Sequence, residues 1–334
     1  MTEERLQALL AQFGSLRIAV AGDLFLDQWF TIDPALDEPS VETGLSAWQV
    51  TGHTASPGAA GTVLNNLHAL GAGALSIVSF TGEDGSGWTL RRLLKQKNIQ
   101  TDHLLTVPER MTPSYMKPMF MNEAAHKEGN RLDIKNRLQT PAWVQDKLLE
   151  SIDSLAAEAD AIILLDQLTE TDTGVITQRI REHIAEIGLK YPKLVLFADS
   201  RERISLFRNV SIKCNHLEAA KALGDGISIP QALAQFTQLT NRPVFITLGK
   251  DGIAASDGSV VSAARQTGPI DVCGAGDSTT AAIVCGLCAG ATPQEAALLG
   301  NLAAGVTLRK IGTTGTASPQ EMMALYHEQF EEPV

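Results

Sequence analysis

The chain has 334 residues, 44% of them hydrophobic and 19% charged, with a formal net charge of −11. That length carries one large domain or two ordinary ones with a real core, and the composition is that of a soluble globular protein. The acidic balance excludes a non-specific binder of nucleic acid or anionic membrane, and no apolar run approaches the ~20 residues that span a bilayer.

The N-terminal "MTEERLQALLAQFGS" carries acids early, lacks an apolar core followed by a cleavage site, and reads as a short amphipathic helix rather than a signal peptide. Next comes "LRIAVAG", a short apolar run ending in glycine, as expected of a buried parallel strand. Similar runs recur at 74–80, 161–166, 193–199 and 243–249, with helical patterns between them over 58–70, 87–97, 141–157, 173–187 and 230–239. Two longer helical segments, 276–289 and 293–308, close the pattern. This alternation predicts an α/β fold with helices on both faces of a mainly parallel sheet. Two stretches break it. Residues 29–56 and 111–137 have no helical period and mix polar, aromatic and β-prone residues (Trp29, Phe30, Trp48, Tyr115, Phe120). Loops of that length without structure are uncommon, so the two are expected to pair as a small sheet covering one edge of a single domain.

Four cysteines (Cys214, Cys273, Cys285, Cys288) lie in apolar segments and read as free thiols in a reducing cytoplasm. Cys285 and Cys288 form a CxxC with no further ligands spaced for zinc, so helix packing is the better reading.

In an open α/β sheet, ligands bind at the carboxyl ends of strands. Asp23, Asp27, Asp166 and Asp199 all fall there, suited to sugar hydroxyls or magnesium, although aspartate at a strand end is also ordinary turn chemistry. "SPGAAGT" (Ser56, Pro57, Gly58, Ala59, Ala60, Gly61, Thr62) allows a ligand close to the backbone or a helix close to a strand. "CNHLEAAKALG" puts Asn215 and Glu218 on one helical turn, and "TLGKDG" (Thr247 to Gly252) reads as a hairpin or a phosphate loop.

The strongest signal is "DVCGAGDSTTAAIV", Asp271 to Val284. Gly274, Ala275 and Gly276 can aim consecutive N–H groups at one point, an anion hole at a helix N-terminus. Asp277 stands beside it in the first turn, where the helix dipole favours its ionised form. A base next to an anion hole suits phosphoryl transfer to a hydroxyl. The dinucleotide pattern GxGxxG fails, since Thr279 stands where its third glycine belongs.

These residues resemble the ribokinase/PfkB carbohydrate kinase family over almost the whole chain. "DVCGAGDSTTAA" is similar to the family's D-T-x-G-A-G-D signature, "VAGDLFLDQW" to its first strand with the substrate aspartate, and "PGAAGTVLNNLHALGA" to P-G-G-A-A-N. "NHLEA" is similar to N-x-x-E, "TLGKDG" to T-x-G-x-x-G, and "NLAAGVTLRKIGTTG" to the helix and loop walling the adenine pocket. Within the family, "GDLFLDQW", "RLDI" (Arg131 to Ile134) and "KIGT" resemble the heptose 7-phosphate kinase subgroup.

The resemblance implies a three-layer α/β/α kinase with a β-sheet lid, often dimeric through it, using ATP and Mg²⁺. It implies Asp277 as base, with Gly274, Ala275 and Gly276 as its anion hole. Asp27, Gly58, Ala59, Thr62 and Asp166 fall on the sugar side. Asn215, Glu218, Thr247, Gly249, Gly252 and Asn301 fall on the nucleotide side, with Glu218 toward the metal. Loops near 267–271 and 310–314 are candidates to host a monovalent cation. Two departures lie on the sugar side. Ala59 and Thr62 replace the second glycine and the asparagine of P-G-G-A-A-N, and "DQLTE" (Asp166 to Glu170) replaces the subgroup's D-Y-x-K-G with its basic residue. The expected activity is therefore γ-phosphoryl transfer from ATP to a sugar or sugar phosphate; the alternatives are a silent sugar- or nucleotide-binding protein of this fold and a nucleoside kinase.

Overall fold

The computed structural model describes residues 1–121 and 127–330. Residues 122–126, inside the second irregular stretch, and 331–334 lie outside the described residues. In chain order the strands are β1 (Arg17–Gly22), β2 (Leu24–Ile32), the short pair β3 (Glu38–Pro39) and β4 (Ser46–Ala47), β5 (Val50–Ala59), β6 (Ala74–Thr81) and β7 (Leu104–Thr106). They continue with β8 (Ser114–Phe120), β9 (Lys127–Glu128), β10 (Leu132–Ile134), β11 (Ala161–Asp166), β12 (Val195–Ser200), β13 (Ser211–Asn215), β14 (Val244–Thr247), β15 (Ile253–Ala255) and β16 (Val260–Val261). The helices are α1 (Glu3–Leu10), α2 (Ala60–Ala69), α3 (Gly85–Gln96), α4 (Ala142–Ala156), α5 (Gln178–Lys190), α6 (His216–Leu223), α7 (Ile229–Thr240), α8 (Ala275–Cys288), α9 (Pro293–Leu308) and α10 (Pro319–Phe330).

Nine strands form the main sheet in the order β16-β15-β14-β13-β12-β11-β1-β6-β7. It is parallel from β14 to β7 and antiparallel at β15 and β16. A parallel sheet is covered on both faces, which is why "AIILLD" in β11 is buried at every position. One core cluster joins this sheet to α1, α2, α3, α8, α9 and α10, the other to α4, α5, α6 and α7. The result is the expected three-layer α/β/α sandwich. Helices α8 and α9 are apolar on nearly every side because they pack on each other and on the sheet.

Several expectations shift. The helix expected over 173–187 starts only at Gln178, where Thr177 accepts from the Ile180 N–H as N-cap. A further helix, α10, follows the two expected to close the chain. The helix expected over 58–70 starts at Ala60, and Gly58 and Ala59 belong to the end of β5 instead.

The second sheet runs β10-β8-β2-β5, with β9 paired to β8. It joins strands from both irregular stretches, and it begins at Leu24 and ends at Ala59, a few residues wider than the 29–56 expectation. The chain leaves β1 at Asp23 directly into β2 and returns from β5 directly into α2, so this sheet stands on the rim where the parallel strands end. Among the described residues no helix is long and apolar enough to cross a membrane.

Candidate active site

Gly274 caps α8 with φ +79°, and a Cβ there would meet Thr314 Cγ2 at 2.8 Å. Only glycine turns the chain into α8 there without strain. The Ala275 N–H donates to Val272 O at 3.3 Å, so the hole is narrower than the three expected donors. Among the described residues the Gly274, Gly276 and Asp277 N–H groups have no backbone acceptor, as expected at a helix start. The Thr62 methyl faces the same turn, 3.8 Å from a Cβ built on Gly274.

Asp277 is half-buried at this turn. Burial and the nearby Asp199 carboxylate push it up to about 7, with Asp27 adding to the rise and Lys213 and Arg201 opposing it. A base poised near neutrality can take a hydroxyl proton and release it afterwards. Beneath it lies a feature the motifs did not show. Lys213 is buried, its Nζ 2.6 Å from Asp199 Oδ2 and donating to Gly276 O at 3.3 Å. Thr280 Oγ1 donates to the same Asp199 oxygen at 3.1 Å. Burial alone would lower the Lys213 pKa, but Asp199, Asp277 and Glu218 outweigh it and raise it. The signal was a lysine inside an apolar strand, "SIKCN", which demands a buried counter-charge.

Of the four rim carboxylates, Asp27 remains open to a ligand. It is in register with Tyr115 on β8 and Ser56 on β5. A Cβ on Gly58 would meet its Oδ2 at 2.3 Å, so that glycine gives it room. Burial raises the Asp27 pKa, against the pull of Lys117 and Arg131. Asp23 instead accepts the N–H groups of Gln167, Leu168 and Val175 at 2.9, 3.2 and 2.9 Å, tying down the loop after β11. Asp199 is held by Lys213. Asp166, expected on the sugar side, is 2% exposed, accepting from Ser200 Oγ at 2.6 Å and Arg203 Nε at 2.9 Å, with Arg203 also reaching its other oxygen. A carboxylate so engaged and so buried fixes the loop 167–175.

Ala59 sits at φ +52°, ψ −113°, a conformation that glycine adopts freely and alanine only under strain. The geometry therefore explains why glycine suits that position in the related motif.

On the other side of α8, Asn215, Thr247, Gly249, Gly252, Gly276 and Asn301 line one cavity of about 680 Å³. Asn215 and Glu218 form a reciprocal cap on α6: Asn215 Oδ1 accepts the Glu218 N–H and Glu218 Oε2 the Asn215 N–H, both at 2.8 Å. Burial and Asp199 raise the Glu218 pKa. Gly252 has φ +99°, and a Cβ there would meet Val261 O at 2.0 Å. Asn301 donates its amide to Val261 O and Ser262 O at 2.8 and 3.1 Å, so it braces the cavity wall with groups expected to face the nucleotide. The two loops expected near a monovalent cation meet, since Asp271 Oδ2 accepts the Gly312 N–H at 2.9 Å. Cys285 is buried and Cys288 donates to Asp160 O at 3.7 Å. Among the described residues no group of three His, Cys, Asp or Glu is placed to hold a metal.

The fold is ribokinase-like, with the cleft at the rim of its main sheet. The chain belongs to the pfkB family of carbohydrate kinases, whose model matches residues 30–321. It is 28% identical to the bifunctional protein HldE of Trichlorobacter lovleyi over 97% of this chain and 65% of that protein. It is 28% identical to HldE of a Nitratiruptor species over 95% and 65%. The chain thus spans about 65% of the length of these curated relatives. Its fold matches phosphofructokinase-2 from Escherichia coli in complex with potassium, with TM-score 0.71 at 15% identity over 94% of this chain and 99% of that one. It also matches ribokinase from Arabidopsis thaliana complexed with ribose and ATP, with TM-score 0.64 at 15% identity over 93% and 98%.

Proposed function

We propose that the protein transfers the γ-phosphoryl group of ATP to a hydroxyl of a sugar or sugar phosphate, with Asp277 as the general base. The observation that carries this is Asp277 in the first turn of α8, beside free N–H groups and between Asp27 and the cavity of Asn215, Thr247, Gly249 and Gly252. Asp27 orients the acceptor. As its hydroxyl oxygen attacks the γ-phosphorus, the proton passes to Asp277. The bond to the β-phosphate oxygen breaks and ADP departs. The Gly274, Gly276 and Asp277 N–H groups and the start of α8 stabilise the charge on the moving group. Lys213, through the Gly276 carbonyl, keeps that turn in place.

We propose that magnesium enters this cleft together with the nucleotide, since among the described residues no three His, Cys, Asp or Glu side chains are placed to hold it alone. Asp199, Glu218 and Asp277 set three carboxylates around the buried Lys213, a surplus of negative charge that a divalent cation relieves. Glu218 would hold it together with the nucleotide phosphates, and the ion would neutralise charge on them. A monovalent cation belongs where the 267–271 and 310–314 loops meet.

We place the whole chain in one domain whose second sheet acts as a lid, in the cytoplasm, and as a homodimer joined through that sheet. Leu36, Val41, Leu45, Trp48 and Val50 are exposed there, an apolar patch of the kind that marks an interface. Trp29 and Tyr115, by contrast, lie under Lys117 and Arg131. Light scattering at micromolar concentration is expected to return the dimer mass; a monomer contradicts this assembly.

The function is tested by ADP release from ATP and Mg²⁺ over a panel of sugars, sugar phosphates and nucleosides. Because Asp277 must be ionised to accept the proton, kcat/KM for the acceptor should rise with pH and level off above about 7. A profile flat from pH 5 to 9 would remove Asp277 from the chemistry.

A further inference from the structure

Resting on the kinase reading above, we infer that Arg201 is a further catalytic residue, its guanidinium contacting the γ-phosphoryl group as it moves, and that Gln167 is the residue that positions it. Arg201 directly follows Ser200, the last residue of β12. Ser200 is in register with Asp166 on β11, and the Arg201 N–H continues that pairing by donating to Asp166 O at 3.2 Å. Arg201 therefore stands at the carboxyl ends of the parallel strands, where ligands of such sheets bind.

The contact between α8 and β12 sets it opposite the base. Thr280 Oγ1 donates to Asp199 Oδ2. Asp277 lies one turn before Thr280 on the same side of α8, and Arg201 lies two residues beyond Asp199 on the same side of its strand. Both project past that bond toward the rim. The charge of Arg201 acts accordingly on Asp277, on Glu218 at the start of α6, and on Tyr115 of the second sheet.

How Arg201 is held matters more than its place. Its Nε donates to Gln167 Oε1 at 2.9 Å, a neutral acceptor that fixes the planar group and leaves its charge whole. Among the described residues it joins no salt bridge and its two Nη groups have no partner. In a protein with 38 acidic residues against 27 lysines and arginines, a cation kept unpaired beside carboxylates is reserved for another anion. Lys213, which also acts on Asp277, is buried and already engaged by Asp199 and Gly276 O. Gln167 itself is anchored. Its N–H and that of Leu168 donate to Asp23 Oδ2 at 2.9 and 3.2 Å, and Arg203 donates to Leu168 O and Thr169 O. Buried charges thus hold the loop from which an exposed arginine is aimed.

The moving phosphoryl group carries its charge on three equatorial oxygens. The N–H groups at the start of α8 meet it from the helix, and the Arg201 Nη groups meet it from β12. Arg201 donates hydrogen bonds and keeps its protons. The acceptor oxygen still bonds to phosphorus, the bond to the β-phosphate oxygen still breaks, and the proton still goes to Asp277.

The test is the pH profile of Arg201→Gln with ATP, Mg²⁺ and the fastest acceptor of the panel above. Arg201 is exposed, so the variant keeps the fold. Because Arg201 opposes the rise of Asp277, its loss moves the rise in activity to higher pH. A residue that only tuned the base would let the variant regain wild-type kcat on the alkaline plateau. Contact with the phosphoryl group instead leaves the plateau kcat lower by roughly 10²–10³-fold, with ADP affinity steady. Arg201→Lys, which keeps the charge without the fork, should recover part of this, and Gln167→Leu should cost about tenfold. A plateau equal to wild type, or a loss confined to the acceptor KM, overturns the assignment, while Asp277-dependent turnover still supports the kinase. If the wild type turns nothing over, calorimetric titration with ATP and ADP decides. A variant weakened toward ATP but not ADP upholds the γ-phosphate contact although the kinase reading has failed, and an unchanged ATP-to-ADP ratio overturns it.

Discussion

Asp277→Asn is expected to lower acceptor-dependent ADP release by about 10²–10⁴-fold, the usual contribution of a general base, while leaving ATP affinity largely in place. The same substitution should make the protein more stable. The carboxyl has a folded-state value of about 7 against an ordinary value of 3.8, so the folded protein holds this proton more tightly than the unfolded chain does. Stability is therefore lost as pH rises from about 4 to about 7 and stays lost above that. Asparagine cannot ionise. Allowing for partial exposure, the gain at neutral pH is on the order of 1–2 kcal/mol, and it vanishes below about pH 4. Thermal melts of both proteins at pH 4 and pH 8 would show it, and an equal melting temperature at both would contradict the electrostatic account.

Asp166→Asn separates a structural carboxylate from a sugar contact. Arg203 is buried with its fork on Asp166, Thr169 O and Leu168 O. Removing the charge leaves a buried guanidinium without its partner, a loss of about 3–5 kcal/mol and a large share of the ~5–15 kcal/mol that holds a domain folded. Part of this returns through Asp23, which burial and Asp166 together push up to about 6. The denaturation midpoint should fall clearly, with the acceptor KM of the folded fraction little changed. A stable variant with a greatly raised acceptor KM would return Asp166 to the sugar site.

The contrast between these two aspartates shows what the sequence made legible. Strand and helix alternation is a local, periodic signal, and β1, β11 and α9 follow it closely. The Gly274-to-Asp277 turn was legible because backbone geometry, glycine and an acid meet within four residues. Partners distant in the chain were not. Asp23 reaches Val175, Asp166 reaches Arg203 and Asp199 reaches Lys213. Four aspartates at strand ends looked alike, and only these crossings distinguish the three that brace loops and strands from Asp27. The second sheet was legible as an interruption of the helical period, but its register, which sets Lys117 beside Trp29, depends on pairing that no single segment specifies.

The central claim is phosphoryl transfer by Asp277, and phosphorus NMR of the reaction tests it most directly. ATP, Mg²⁺ and an acceptor are incubated with wild type or Asp277→Asn. The account predicts a new phosphomonoester signal growing in step with ADP in the wild type and nearly absent in the variant. A phosphomonoester formed equally fast by the variant, or ADP appearing with inorganic phosphate alone, would contradict it.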